Sequence, residues 1–220
     1  DQVGLNAIYA DSIKPYKQRK VKILNGCHTC MVPVSYLYGI DTVRESIEDP
    51  VVGKFAREFV YDEVIQTIKL PRDDMERFAN SVFERYLNPF VRHELMSIAL
   101  NSISKYWARV LPTVKDYLEI NNKLPRHAIF SLAALIKFYE GKRGDADIAL
   151  NDSPNYLEYF KNLFAKGLSE EAIVKDVLSQ VDMWQEDLNN IPTMYDEVLK
   201  YYKAINSKGM KVALKEFVGE

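Results

Sequence analysis

The sequence predicts an all-α, multi-helical fold. Beyond "KPYKQRK", apolar residues recur at spacings of three and four rather than two, the pattern of helices with one buried face. Helix punctuation recurs at matching intervals, with Gly39, Pro71, Pro125 and Ser169 each placed where an end or a start is needed. Only "VGLNAIYA", residues Val3 to Ala10, reads as a strand, and no later stretch of similar quality could pair with it. A lone strand is not a stable sheet. Its presence points to a chain that is part of something longer.

Residues 1–19 read as a junction strand and linker, and residues 20–220 as a single helical body. A helix from about Lys20 to Tyr38 stops at Gly39, a favourable residue just past a helix end, and a shorter one follows from Thr42. A third runs from about Val51 to Ile68. "LPRDDMERFANSVFERYL" opens with Pro71 and two aspartates, both favourable in a first turn, before "NPF" breaks it. The block from Val91 to Asn121 reads as two helices meeting near Lys105 to Pro112, and another runs from Pro125 to Tyr139. "GKRGDAD" and "NDSP" form the one clear loop region. Helices then cover Tyr156 to Ala165, Ser169 to Gln180, Met194 to Ile205 and Lys208 to Phe217, with Ser169 as an N-cap. No repeat or low-complexity segment appears.

A chain of 220 residues can bury roughly 70% of its unfolded surface, so a substantial core is available. Hydrophobic residues make up 47% and charged residues 27%, with a formal net charge of −2. That balance carries no electrostatic footprint for nucleic acid. No apolar run reaches the ~20 residues needed to cross a bilayer, and the first residues do not resemble a signal peptide. A cytoplasmic location with no membrane partner is the expectation. Two cysteines in so long a chain do not make a disulfide framework.

Those two cysteines flank one of only three histidines, in "ILNGCHTC". Cys27 and Cys30 have the two-residue spacing of zinc and thioredoxin-like sites. Zinc needs about four ligands, and His28 lies between the cysteines, turned about 100° from Cys27. A redox pair wants its first cysteine at a helix N-terminus, whereas Cys27 lies well inside this helix. No metal site is expected. Both cysteines read instead as small buried residues on an apolar face with Ile23, Leu24, Met31 and Val34.

The polar residues of the same helix suggest chemistry. Lys20, Asn25 and His28 form a Lys-x4-Asn-x2-His pattern. On a regular helix they fall within an arc of about 140° over about 12 Å of rise, so a long lysine can share a pocket with the other two. An amine, an amide and an imidazole around one oxygen suit the interconversion of an alcohol and a carbonyl. A lysine whose pKa is lowered by burial exchanges the hydroxyl proton. Asn25 and His28 donate hydrogen bonds as charge develops on the oxygen. Gly26 costs about 1 kcal/mol in a helix relative to alanine, which fits a close approach to the backbone there. The competing reading is that Lys20 belongs with Lys17, Arg19 and Lys22 on a solvated face.

Three blocks, "RKVKILNGCHT", "PVSYLYGIDTVRE" and "NPFVRHELMSIALNSISKYWARVLPT", resemble in order and spacing the C-terminal domain of the mannitol dehydrogenase family of long-chain polyol and sugar-acid dehydrogenases. The resemblance covers the chain from about Gly4 to at least Tyr139. It implies a metal-independent, NAD-linked oxidoreductase in which Lys20 is the general acid/base and Asn25 and His28 bind the reacting oxygen. It also implies that Asn101, Ser104 and Lys105 match a polar, basic stretch that contacts the substrate. Lys105 suits the carboxylate of a small-molecule sugar acid as a point charge, with Arg109 and His93 as further candidates. Family members carry a Rossmann domain before this region, yet no Gly-x-Gly-x-x-Gly run occurs here. The expectation is therefore the catalytic half of a two-domain enzyme, with its own N-terminal Rossmann domain as partner and "VGLNAIYA" as the strand left from that junction. A stand-alone helical domain that binds sugar acids or a protein without catalysis is the alternative.

Overall fold

A computed structural model describes residues 11–220, so the expected strand at residues 3–10 lies outside the described residues. Helix α1 (Lys14–Arg19) runs without a break into a π-helical segment (Lys20–Gly26) and then α2 (Cys27–Tyr38), which ends at Gly39 in the left-handed region, φ 115°. The helix thus starts earlier than Lys20, inside the span read as linker. Ile13 offers no side-chain cap, so the start carried no sequence signal, and Pro15 occupies the first turn, where its missing N–H costs nothing.

Thr42 caps α3 (Val43–Glu48) in a reciprocal capping box with Glu45. Asp49 then caps α4 (Pro50–Glu58) by accepting from the N–H groups of Val51 and Val52, both at 2.9 Å. The long helix expected to Ile68 departs from α geometry at its end. It widens to a π-helix over Phe59–Val64 and tightens to a 3-10 turn over Ile65–Thr67. Helix α5 (Arg72–Tyr86) has Asp73 and Asp74 in its first turn, as expected.

The block from Val91 to Asn121 holds three helices rather than two: α6 (Leu95–Ile98), α7 (Ser102–Arg109) and α8 (Leu111–Asn121). The extra break falls at Asn101, which adopts the left-handed conformation (φ 55°) that asparagine tolerates better than most residues. Helix α9 (Arg126–Phe138) follows. The "GKRGDAD" stretch, read as loop, is a short hairpin of β1 (Lys142–Arg143) and β2 (Ala146–Asp147), with Lys142 opposite Asp147 and Gly144 at φ 61° in the turn. The last third comprises α10 (Pro154–Ala165), α11 (Glu170–Leu178) capped by Ser169, α12 (Val181–Trp184), α13 (Met194–Lys208) and α14 (Met210–Val218).

Helix α9 organises the core. All its residues except Arg126 and Lys137 are buried, as befits a helix that is apolar nearly all round. Both α2 and α13 pack along it. The Ser131 hydroxyl donates to the Cys30 carbonyl at 2.7 Å, and the Tyr106 hydroxyl donates to the Ala128 carbonyl at 2.7 Å, tying α9 to α2 and α7. Among the described residues no helix is long and apolar enough to cross a membrane.

Two helices lacking a cap of their own receive one from elsewhere in the chain. Pro125 gives α9 no side-chain cap. The buried Glu63 carboxylate supplies it, accepting from the N–H groups of His127 (2.7 Å) and Ala128 (3.1 Å) and facing His127 Nδ1 at 2.8 Å. Asn101 likewise gives α7 none. There Asp152, from the "NDSP" loop, accepts from the Ile103 N–H at 3.2 Å and from the Tyr139 hydroxyl. Glu63→Ala leaves two buried N–H donors and one imidazole nitrogen without their acceptor. We expect a loss of about 3 kcal/mol, seen as a fall of roughly 10 °C in Tm by thermal denaturation. Glu63→Gln, which keeps one acceptor oxygen, should lose less; equal stability of Glu63→Ala and the parent would refute the capping role.

Candidate active site

The first long helix presents Lys20, Asn25 and His28 through a wide turn. In an α-helix residues five apart lie about 140° from one another, whereas i→i+5 winding brings the fifth residue nearly over the first. The π-segment Lys20–Gly26 therefore draws Lys20 and Asn25 toward one strip of the surface. Such segments are frequent at functional sites. Lys20 is exposed and Asn25 half-buried. Among the described residues nothing encloses Lys20.

Gly26 allows the close approach its helical cost implied. A Cβ at this position would stand 3.2 Å from the Arg109 carbonyl oxygen at the end of α7. That contact sets α7 against the π-turn. Lys105 and Arg109, four residues apart, then share one face of α7, half-buried beside His28. Arg109 Nη1 donates to the Thr29 hydroxyl at 3.4 Å, and that hydroxyl donates to the Asn25 carbonyl at 2.9 Å. Lys105 Nζ donates to the Ile98 carbonyl at 2.8 Å. Among the described residues neither cation has a carboxylate within ion-pair distance. Burial lowers the pKa of both, and for Lys105 the charge of Arg109 pushes the same way, opposed by Asp152.

His28 sits among these groups with its Nε2 buried and without a hydrogen-bond partner. Its ring stacks on Tyr86, with centroids 4.4 Å apart and planes 28° apart, and meets His93 edge-on at 5.3 Å. His93 is held there by a bridge between the two loops: the Val43 N–H donates to its carbonyl at 3.0 Å, and the Leu95 N–H donates to the Asp41 carbonyl at 2.8 Å. Burial pushes the His28 imidazole down to about 3, and His93, Arg109 and Lys105 push the same way. The ring is neutral at neutral pH, with one N–H to donate.

Four of the expected residues, His28, His93, Lys105 and Arg109, thus meet in one place. Among the described residues, Asn101 and Ser104 make no side-chain hydrogen bond to these four, although the Lys105 N–H donates to the Asn101 carbonyl at 3.1 Å. Asn101 is exposed at the start of α7, and the Ser104 hydroxyl, also exposed, donates to the Asn101 carbonyl at 3.2 Å. Thr29 and Tyr86 were not anticipated. Thr29 lies four residues after Asn25, a spacing that could have revealed it, whereas Tyr86 ends a distant helix and left no signal. The sulfurs of Cys27 and Cys30 are fully buried in the core, and burial pushes Cys27 up to about 12 and Cys30 well above its usual range. They are packing residues, protonated and enclosed in the core. Among the described residues no group of three or more His, Cys, Asp or Glu is placed to hold a metal ion.

Fold and site together define a helical domain with one short hairpin that, among the described residues, offers an unpaired cation pair and an unpartnered neutral imidazole from two neighbouring helices. Residues 12–206 match the model of the family described as the mannitol dehydrogenase C-terminal domain, and the chain belongs to that family. An altronate oxidoreductase of Enterobacter sp. (strain 638) is 40% identical over 98% of this chain and 46% of its own length. One of Phocaeicola vulgatus is 42% identical over 98% of this chain and 45% of its own length. The chain spans a little under half the length of these curated relatives. A ternary complex of Pseudomonas fluorescens mannitol 2-dehydrogenase with NAD and D-mannitol superposes over 100% of this chain and 43% of its own, with a TM-score of 0.86 at 19% identity, which establishes the fold.

The depressed His28 pKa makes stability depend on pH. The folded value of about 3 lies below the unfolded value of about 6.5, so the unfolded chain takes up the proton first. The stability contributed by the neutral ring is complete above about pH 6.5 and is lost as pH falls toward 3. Between about pH 7 and pH 4.5, Tm should therefore fall less in His28→Gln than in the parent. Equal falls measured by calorimetry would show that His28 is not held neutral.

Proposed function

We propose that this chain is the substrate-binding and catalytic half of an NAD-dependent oxidoreductase that interconverts D-tagaturonate and D-altronate in hexuronate breakdown. The observation that carries the reading is the pair of unpaired, half-buried cations, Lys105 and Arg109, beside an imidazole that lacks a partner. Half-burying two positive charges without counterions is costly unless an anion arrives to meet them. The carboxylate of a sugar acid is such an anion, and a neutral polyol is not. Relatives named altronate oxidoreductase, about 40% identical over nearly the whole chain, support the same choice.

In reduction, the sugar-acid carboxylate lies against Lys105 and Arg109, which fixes how far its carbonyl reaches toward α2. The carbonyl oxygen accepts hydrogen bonds from the Asn25 amide and the neutral His28 ring, donors aimed at the atom on which negative charge grows. The Lys20 ammonium gives its proton to that oxygen, completing the hydroxyl, and takes it back in the oxidation direction. Reduced NAD, when bound, supplies the hydride to the carbonyl carbon. The chain carries no Gly-x-Gly-x-x-Gly run, so the residues that hold the cofactor belong to an accompanying Rossmann domain, in line with relatives about twice as long. That domain also covers Lys20 and excludes water from it. Cys27 and Cys30 take no part, and no metal is required because the lysine does the proton chemistry.

The test uses the intact protein, with NADH oxidation followed in the presence of D-tagaturonate, D-fructuronate and D-fructose. The highest kcat/KM is expected with tagaturonate. Faster turnover of fructuronate would make this a fructuronate reductase, and faster turnover of fructose a neutral polyol dehydrogenase, either of which overturns the substrate assignment. Lys20→Ala should lower kcat by about 10²-fold or more. Near-normal turnover in that variant would remove Lys20 from the proton-transfer role.

A further inference from the structure

We propose that Tyr86 is the positioning residue for His28: its ring, packed face to face on the imidazole, aims the unpartnered ring nitrogen and keeps the ring neutral. This rests on the proposed role of His28 in holding the reacting oxygen.

An imidazole normally takes its orientation and tautomer from a hydrogen bond to one ring nitrogen. His28 has no such bond at Nε2, which is buried. Rotation of the ring about its last side-chain bond is intrinsically broad. What limits it here is packing, with Tyr86 stacked at 4.4 Å and His93 edge-on at 5.3 Å.

Tyr86 is itself held firmly. It is 5% exposed, and Phe83 meets it edge-on with centroids 5.9 Å apart. Its hydroxyl donates to the Leu24 carbonyl at 2.7 Å. Leu24 belongs to the π-segment, so one residue at the end of α5 both ties down the wide turn and forms a wall for the imidazole one turn later. Among the described residues, the charged groups acting on His28 are all basic: His93 from the loop before α6, and Lys105 and Arg109 from α7. None of them can accept a proton-bearing imidazole as an ion-pair partner. The stack covers one face of the ring, and burial disfavours its charged form.

The experiment uses the intact protein with Tyr86→Phe and Tyr86→Leu, each checked for an unchanged circular dichroism spectrum. Two readouts are taken. The first is the NMR titration of 13C-labelled histidine, with the His28 signal assigned by its loss in His28→Gln; it does not depend on activity or on the identity of the substrate. The second is the division of any rate loss between kcat and KM.

In Tyr86→Phe, which keeps the ring, His28 should remain untitrated between about pH 5 and 8. In Tyr86→Leu, the His28 titration should rise into the range above about pH 5 but stay below about 6.5, because His93, Lys105 and Arg109 still oppose the charged ring. Its kcat should then fall about tenfold or more with KM changed by less than about threefold, because the lost bond is made chiefly as charge develops. A His28 signal that stays untitrated in Tyr86→Leu overturns the proposal. So does Tyr86→Phe if it already titrates, because the hydroxyl rather than the stack would then be responsible; this outcome is decisive even where the leucine variant does not fold. A changed titration with unchanged kcat keeps the stack but overturns the role of His28 in catalysis. That separates failure of this inference from failure of the functional reading.

Discussion

The fold depends on two buried carboxylates that cap helices to which they do not belong. Glu63 stands at the start of the central helix α9, and Asp152 stands at the start of α7, where it also takes the Tyr139 hydroxyl. A helix start buried without acceptors leaves donors that cost as much as the packing around them gains. Each carboxylate comes from an irregular stretch, Glu63 from a π-segment and Asp152 from a loop after the hairpin. The irregular stretches therefore join the regular ones into a single framework, and α9 can be apolar on nearly every face because its polar start is met from outside.

The same logic reaches the site. Helix α7 carries Lys105 and Arg109, and its first turn is held by Asp152 while its last carbonyl rests against Gly26. A displaced α7 would move both cations relative to His28. The cations lack counterions, the imidazole lacks a partner, and the helix beneath them leaves α geometry for seven residues. Each departure works against stability in isolation. A second π-segment, Phe59–Val64, and other buried unpartnered atoms lie elsewhere, so it is the coincidence of these three departures that supports the proposed ligand site.

The "ILNGCHTC" stretch shows how closely structural and chemical roles can alternate along one helix. Cys27 and Cys30 lie in the core with thiols pushed upward by burial, while His28 lies beside the cations. Gly26, between them, is the point at which another backbone comes near. Residue types that suggested zinc or redox chemistry are the packing side of a helix whose other side is polar.

The amino-acid sequence by itself determined the class of fold, most helix positions and the capped ends at Gly39, Thr42 and Ser169, because hydrophobic period and capping chemistry are local. It also carried the Lys20, Asn25 and His28 pattern, because side chains on a helix repeat at fixed intervals, whereas Lys105 and Arg109 entered only through the family resemblance. Only the tertiary structure decided the rest. The π-winding of Lys20–Gly26 and Phe59–Val64 carried no sequence signal, and the Tyr86 hydroxyl reaches the Leu24 carbonyl of the first segment from a distant helix. The approach of Tyr86 to His28, of Arg109 to Gly26 and of Glu63 to His127 joins residues far apart in the chain. Those contacts, made only after collapse, are what turn a helix with a polar stripe into a site with a neutral imidazole and two waiting charges.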